Sequence, residues 1–163
     1  MKCRLKKITN LSGNKASVYS VVIGDGNKTL YEQFISENFD LYKSEIININ
    51  KRLQVIGTQT GARDIFFKPN EGALGDGVVA LYDDPKKKLR LYCIKYGNQI
   101  IIVGGGGSKN TRTLQDDPKL KDENYFLRWL SKQITSRLND DIRFSKDGLD
   151  FDGNLEFEDN RND

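Results

Sequence analysis

The chain has 163 residues, of which 37% are apolar and 30% are charged, a composition typical of one soluble globular domain spanning residues 1–163. No run of residues approaches the roughly 20 apolar side chains that cross a bilayer, so no membrane partner is expected. The absence of histidine excludes Ser-His-Asp and Cys-His nucleophile systems and, with only two cysteines, argues against a metal site.

The two cysteines also bear on the cellular compartment. Cys3 and Cys93 are too few for a disulfide scaffold, and Cys93 lies in an apolar segment where a buried thiol is expected. The basic start, MKCRLKKITN, is not followed by the apolar region of a secretory signal. These features predict a reduced, cytoplasmic protein.

Positive charge is concentrated in the middle of the chain. The net charge is only +3, but seven cations and no acid lie between Lys86 and Arg112, whereas the sequence from Asp140 onward is acidic. A cationic centre favours an anionic partner, of which nucleic acid is the commonest. Ordinary clustering of charge on a solvated surface is the alternative, and charge alone does not choose between them.

The first half of the chain predicts a β-hairpin followed by two helices. Residues 2–9 and 16–24 flank a turn-rich link and form the hairpin. A first helix is expected within 29–39 and a second within 41–59, ending at Gly61. Apolar residues recur at helical spacing along the second helix, at Ile46, Ile49, Leu53 and Ile56.

The second half predicts a sheet, a third helix and a terminal hairpin. Four short segments are rich in β-branched and aromatic residues: 63–68, 77–83, 89–97 and 99–105. The linkers DDPKKK and YGNQ favour tight turns, so an antiparallel meander is expected. Helical spacing predicts a helix over 122–138, and two turns predict an acidic hairpin within 139–163. The expected fold class is α+β, with helices packed on one side of a small antiparallel sheet.

Four glycines follow the most apolar of these strands, in the stretch QIIIVGGGGSKN. With Lys109 as its lysine, a phosphate loop of the G-x-x-x-x-G-K-[ST] type would need glycine at positions 103 and 108, where the chain has Val103 and Ser108. Two interpretations remain. Gly106 and Gly107 allow a polyanion to approach the backbone, or the glycines form a bulge or bent strand end.

Cations on either side of the glycines suggest a phosphate-binding face. Lys109 and Arg112 follow the glycines, and an antiparallel pairing through the YGN turn places Arg90 at the same end of the hairpin. We therefore expect Arg90, Lys109 and Arg112 to converge. Lys68 either reaches the same cleft or keeps an edge strand soluble.

Further residues of this region are candidates for binding nucleic acid. Just before the first strand of this pair, three lysines add positive charge: Lys86, Lys87 and Lys88. Tyr92 and Tyr96 can stack on bases, although core packing is the commoner role of tyrosine in a strand.

The stretch LRLYCIKYGNQIIIVGGGGSKNTRT, followed by the helix DENYFLRWLSKQI, resembles the RelE/ParE toxin superfamily, in particular its HigB-like and phage-derived branch. Those chains have N-terminal helices, a meander with an arginine-bearing strand, a lysine-rich segment and a final helix. The resemblance covers residues 45–137. The first hairpin and the acidic segment 139–163 are additions.

The resemblance implies the toxin of a bacterial toxin–antitoxin system, a ribosome-dependent mRNA endonuclease neutralised by a helix-turn-helix antitoxin. It places Arg90 at the cleaved phosphate, Lys109 and Arg112 in the basic segment, and Lys68 at an upstream lysine. Cleavage would need no metal or cofactor. The 2′-hydroxyl would attack phosphorus, a lysine or tyrosine would accept its proton, and the cations would stabilise the phosphorane.

Two departures separate the chain from that pattern. The family's strand ending L-H-G-F reads V-G-G-G-G here, and Tyr82 stands where an arginine is common. Two alternatives therefore remain open beside the nuclease. One is a non-catalytic member of the same fold that acts by binding, directed at gyrase or regulatory, and the other is an unrelated α+β binding domain.

Overall fold

A seven-stranded sheet with helices on both faces organises the chain in the computed structural model, which describes residues 1–83, 86–109 and 117–161. The helices are α1 Leu30–Asn38, α2 Lys43–Val55 and α3 Pro118–Arg137. The strands are β1 Lys2–Lys7, β2 Ser17–Ile23, β3 Phe67–Lys68, β4 Val78–Leu81, β5 Leu89–Tyr96, β6 Ile100–Ser108, β7 Ile142–Phe144, β8 Phe151–Gly153 and β9 Glu156–Glu158. The predicted α+β class is confirmed.

The sheet order is β3-β4-β5-β6-β2-β1-β9. Strands β3 to β6 form the predicted antiparallel meander, and β1 and β2 form the predicted first hairpin. The expectation of a wholly antiparallel sheet is wrong, because β2 pairs in parallel with β6. Almost every residue of β2 is buried, which requires both faces of the strand to be covered. Inside the sheet, between β6 and β1, both faces are covered, and the parallel pairing with β6 makes the sheet mixed.

Local signals place the first two helices where the sequence predicts them. Thr29 and Glu32 form a reciprocal capping box at the start of α1. The apolar stripe of α2 is buried, and a π-helical turn, Ile56–Thr60, continues it. Gly61 ends this turn with a positive φ of 78°, and its N–H bonds to the carbonyl of Ile56.

The sequence analysis expected all helices on one side of the sheet, and this expectation is wrong. Helices α1 and α2 pack against the face that carries Leu91 and Cys93, whereas α3 packs against the face that carries Tyr92 and Ile94. The physical reason is that β5 and β6 are apolar on both faces, and each face needs its own cover. Within the described residues, no helix has both the length and the apolar content needed to cross a membrane.

Helix α3 begins at Pro118, four residues before the predicted start. The side chain of Asp117 caps it by accepting the N–H of Leu120 at 3.1 Å, and proline suits the first helical position. The predicted C-terminal hairpin is confirmed as β7 and β8. Beyond it, β9 pairs with β1 and extends the main sheet, a contact that the sequence did not indicate.

The four glycines form the bulged end of β6. Leu91 pairs with Gly106 and Cys93 with Val103, so one extra residue of β6 is accommodated at Gly104 and Gly105. Side chains of α3 occupy the adjacent space, because an added Cβ would meet Leu127 at Gly104 and Glu123 at Gly105. All four glycines are buried. The expectation that Gly106 and Gly107 open the backbone to a polyanion is therefore wrong, and the bulge interpretation is confirmed.

Gly106→Ala is expected to lower the free energy of unfolding by about 1–3 kcal/mol, because the new Cβ would lie 1.9 Å from the carbonyl oxygen of Arg90. Gly26→Ala is the matched control, since an added Cβ there meets nothing within 4 Å. Urea denaturation of both variants measures the difference. Equal stability of the two variants would show that the strands are not held this closely.

Candidate functional site

A buried carboxylate collects three of the predicted cations at one end of the sheet. Asp83 follows β4, and its side chain is only 4% exposed. Lys68 Nζ lies 2.7 Å from Asp83 Oδ1, Lys109 Nζ donates a hydrogen bond to Oδ2, and Arg90 Nη2 lies 3.7 Å from Oδ2. We call these four residues the Asp83 cluster.

Strand pairing brings the cluster together. The register aligns the end of β4 with the start of β5 and the end of β6, so Arg90 lies opposite Gly107. The backbone N–H of Lys109 bonds to the carbonyl of Lys88 at 2.7 Å and continues the β5–β6 pairing beyond the glycines. Lys68 pairs with Ala80 in the neighbouring strand. The convergence of Arg90 and Lys109 expected from the YGN turn is thus present in the fold, and Lys68 joins it.

The exposed fractions of the four side chains show which of them lie nearer to solvent. Lys68, Arg90 and Lys109 are 32%, 23% and 18% exposed, against 4% for Asp83. The carboxylate therefore lies beneath the cations, and the cations separate it from solvent. Among residues 1–83, 86–109 and 117–161, one carboxylate contacts these three cations, so positive charge is in excess at the surface of the cluster.

The electrostatic balance at Asp83 favours its ionised form. Burial by itself raises the pKa of this carboxyl, but hydrogen bonds from Lys109 and Lys68 and the charge of Arg90 outweigh that effect and hold the pKa below its usual value. Arg52 lies close enough to feel the same charge. Burial lowers the pKa of Arg52, the charge of Asp83 opposes this shift, and Arg52 Nη1 donates to the carbonyl of Tyr82 at 2.6 Å.

The other predicted residues lie in different places. Lys86, Lys87 and Lys88 are exposed in the connection between β4 and β5. Arg112 lies outside the described residues.

The tyrosines do not form the expected platform for bases. Tyr92 is 1% exposed and belongs to the core, and burial raises the pKa of its hydroxyl. The ring of Tyr96 packs edge-on against Phe151, 5.3 Å between centroids, and burial raises the pKa of its hydroxyl too. The prediction of base stacking by Tyr92 is therefore wrong, because its ring lies under α3.

Sequence reasoning missed Asp83 and Arg52. The dipeptide Asp83–Asp84 before a proline is a turn signal, and nothing local distinguishes an aspartate that enters a cluster from one in a solvated turn. Arg52 lies in the last turn of α2, where a cation is common for reasons of helix capping alone. Both assignments require the tertiary structure.

The cluster is a candidate anion site rather than a metal site. Across residues 1–83, 86–109 and 117–161, no three His, Cys, Asp or Glu side chains are grouped as metal ligands. No protein-family model, curated protein or solved structure matches the chain.

Asp83→Asn is expected to lower the free energy of unfolding at pH 7 by about 1–3 kcal/mol, because three partly buried cations lose their counter-ion. Asp40→Asn, at an exposed position, is the control and should be nearly neutral. Urea denaturation gives both values. A neutral effect of Asp83→Asn would mean that the carboxylate does not hold the cations.

The contribution of Asp83 should also depend on pH. Since folding lowers the pKa of Asp83, its stabilisation is fully present above the usual value of 3.8 and is lost as the pH falls through the lower folded-state pKa. The difference in unfolding free energy between wild type and Asp83→Asn should stay constant from pH 7 to about pH 5 and shrink only below pH 3.8. A difference that declines between pH 7 and pH 5 would contradict this assignment.

Proposed function

We propose that the protein is a RelE/HigB-like toxin that holds an mRNA phosphate on Lys68, Arg90 and Lys109 and cleaves the adjacent bond without a metal. One observation carries the proposal. Three cations, on or just after three different strands, meet at one end of the sheet; they are partly exposed, and within the described part of the chain Asp83 is the one carboxylate that they contact. Such an excess of donors suits the oxygens of a phosphodiester.

The order of elements supports the same proposal. Two helices precede the meander, the arginine lies on its third strand, a lysine follows the last strand, and a helix ends the core. This is the order that the resemblance implies. The chain still departs from the family pattern at two places, at Tyr82 and at the glycine-rich end of β6.

The proposed reaction is an internal transesterification. The ribose 2′-oxygen forms a bond to phosphorus, the bond from phosphorus to the 5′-oxygen breaks, and the products carry a 2′,3′-cyclic phosphate and a 5′-hydroxyl. The 2′-hydroxyl loses one proton and the leaving 5′-oxygen gains one. Arg90 and the lysines stabilise the extra negative charge that develops on the phosphorane, which is the largest contribution such donors make.

Of the two kinds of base expected from the sequence, lysine fits the site better. The hydroxyl of Tyr92 is in the core and that of Tyr96 is buried, whereas Lys68 and Lys109 are partly exposed within the cluster. Either lysine can accept the 2′ proton only after it has released one of its own. The other lysine can then donate a proton to the leaving oxygen.

The ion pairs with Asp83 favour a second candidate function, which is binding without turnover. Both lysine ammonium groups contact the carboxylate, and this arrangement suits a fixed positive surface as well as it suits proton transfer. In that case the protein would act on its target, gyrase or a regulatory partner, through the same cations. Under both proposals, the protein is neutralised by an antitoxin and acts in the cytoplasm.

Arg90→Ala combined with Lys109→Ala should abolish growth arrest after induced expression in a bacterial host, and with it the fresh mRNA ends seen by primer extension. Loss of one charge-stabilising donor typically costs about 100-fold in rate. Arg143→Ala combined with Lys146→Ala is the matched control, because it removes the same residue types from exposed positions in the C-terminal hairpin. The control should arrest growth like wild type.

The remaining outcomes separate the candidates. Arrest by wild type with intact mRNA, lost in the cluster variant, identifies a toxin that acts by binding. Folded wild-type protein that neither arrests growth nor cleaves mRNA contradicts both.

A further inference from the structure

A groove on the α3 face lies along the second half of α3, whereas the Asp83 cluster lies at the end of the sheet near the first turn of that helix, and the groove has no role in the proposed chemistry. It lies between α3 and the loop of residues 69–77, and its volume is about 660 Å³, enough for a ligand of nucleotide size. Its aromatic residues are Tyr125 and Trp129, and Leu74 at the loop tip is fully exposed. We call it the α3 groove.

The charges that line the α3 groove are mainly positive. Arg128, Lys132 and Arg161 line it, and Asp76 is its one acid among the described residues. The carboxylate of Asp76 is already engaged, because it accepts the N–H of Ala73 at 2.8 Å and that of Val78 at 3.0 Å. Arg161 is ion-paired with Asp159 at 2.8 Å, so Arg128 and Lys132 supply the excess positive charge.

Cations and aromatic rings alternate in this groove. The guanidinium of Arg128 lies 4.7 Å from the centroid of the Tyr125 ring, and that of Arg161 lies 5.3 Å from the centroid of Trp129. Aromatic rings and guanidinium planes are the surfaces on which unpaired bases stack, while the same cations attract the phosphate backbone. This combination suits a single-stranded nucleic acid.

The loop of residues 69–77 connects the groove to the cluster. Lys68, a member of the cluster, immediately precedes the loop. The carbonyl of Glu71 then accepts from Asn124 Nδ2 at 2.7 Å and from Arg128 Nη2 at 3.3 Å, so the loop lies along α3 as it reaches the groove. The loop thus runs from the cluster to the groove and forms one of its walls.

We propose that the α3 groove binds bases of single-stranded RNA at a position separate from the phosphate held by the Asp83 cluster. The link to cleavage rests on the proposed function, whereas base binding in the groove can be measured separately. An acidic amphipathic peptide would use the same charges. RNA accounts better for the guanidinium groups that lie over the Tyr125 and Trp129 rings.

Trp129 provides the measurement because it is the only tryptophan in the chain. An eight-residue oligouridylate, U8, added at low salt should quench its fluorescence saturably. Lys132→Glu should weaken the binding of U8 about tenfold or more, since it reverses a charge beside the stacking surface. Lys146→Glu makes the same charge change on the exposed C-terminal hairpin and should alter the affinity less than twofold.

Three results would overturn the proposal: no saturable quenching by U8, equal weakening by Lys132→Glu and Lys146→Glu, or tighter binding of an acidic peptide of equal charge than of U8. Tripolyphosphate provides a further control for charge alone. It should bind more weakly than U8, and equal affinity would show that the bases contribute nothing.

The double variant Arg90→Ala with Lys109→Ala tests the groove proposal independently of the proposed mRNA cleavage. If it retains the quenching by U8 but loses mRNA cleavage, groove and cluster have distinct roles. If wild type shows quenching but no toxicity or cleavage, the groove proposal stands and the proposed function fails.

Discussion

The burial of both faces of the β5–β6 pair is the constraint on which the rest of this structure depends. Two adjacent strands that are apolar on both sides require helices on both sides, and this requirement places α1 and α2 opposite α3. The glycines of β6 then let α3 approach closely and provide the bulge in the pairing. The same pairing brings the start of β5 and the end of β6 together at one end of the sheet, where Arg90 and Lys109 meet.

At that end of the sheet, the carboxylate of Asp83 lies beneath the three cations of the cluster. Without Asp83, three positive side chains would be held together by strand geometry and would repel one another. With it, the cations are held in fixed positions and positive charge is still in excess at the surface. A buried ion pair of this kind is weak evidence for stability by itself, since desolvation opposes the attraction. Its value here is positional, because it holds three cationic side chains together around one carboxylate.

Helix α3 links the cluster to the groove. Its first turns lie over the glycines, and its middle forms one wall of the α3 groove with Tyr125 and Trp129. The loop after Lys68 forms the other wall and is tied to the helix through Glu71. The two proposed sites thus rest on one rigid helix and one anchored loop, an arrangement that suits a ligand with a regular backbone and repeated flat groups.

The sequence by itself determined the helices of the first half, the meander and the pairing that brings Arg90 to the glycine end. Each of these depends on residues close together in the chain, such as the stripe of α2 or the YGN turn. Only the tertiary structure decided the insertion of β2 beside β6, the two-sided helix packing and the meeting of Lys68 with Asp83. These depend on contacts between distant segments, which local periodicity does not encode. For the same reason the glycines looked like an opening in the sequence, whereas in the fold α3 fills the space that their missing side chains leave.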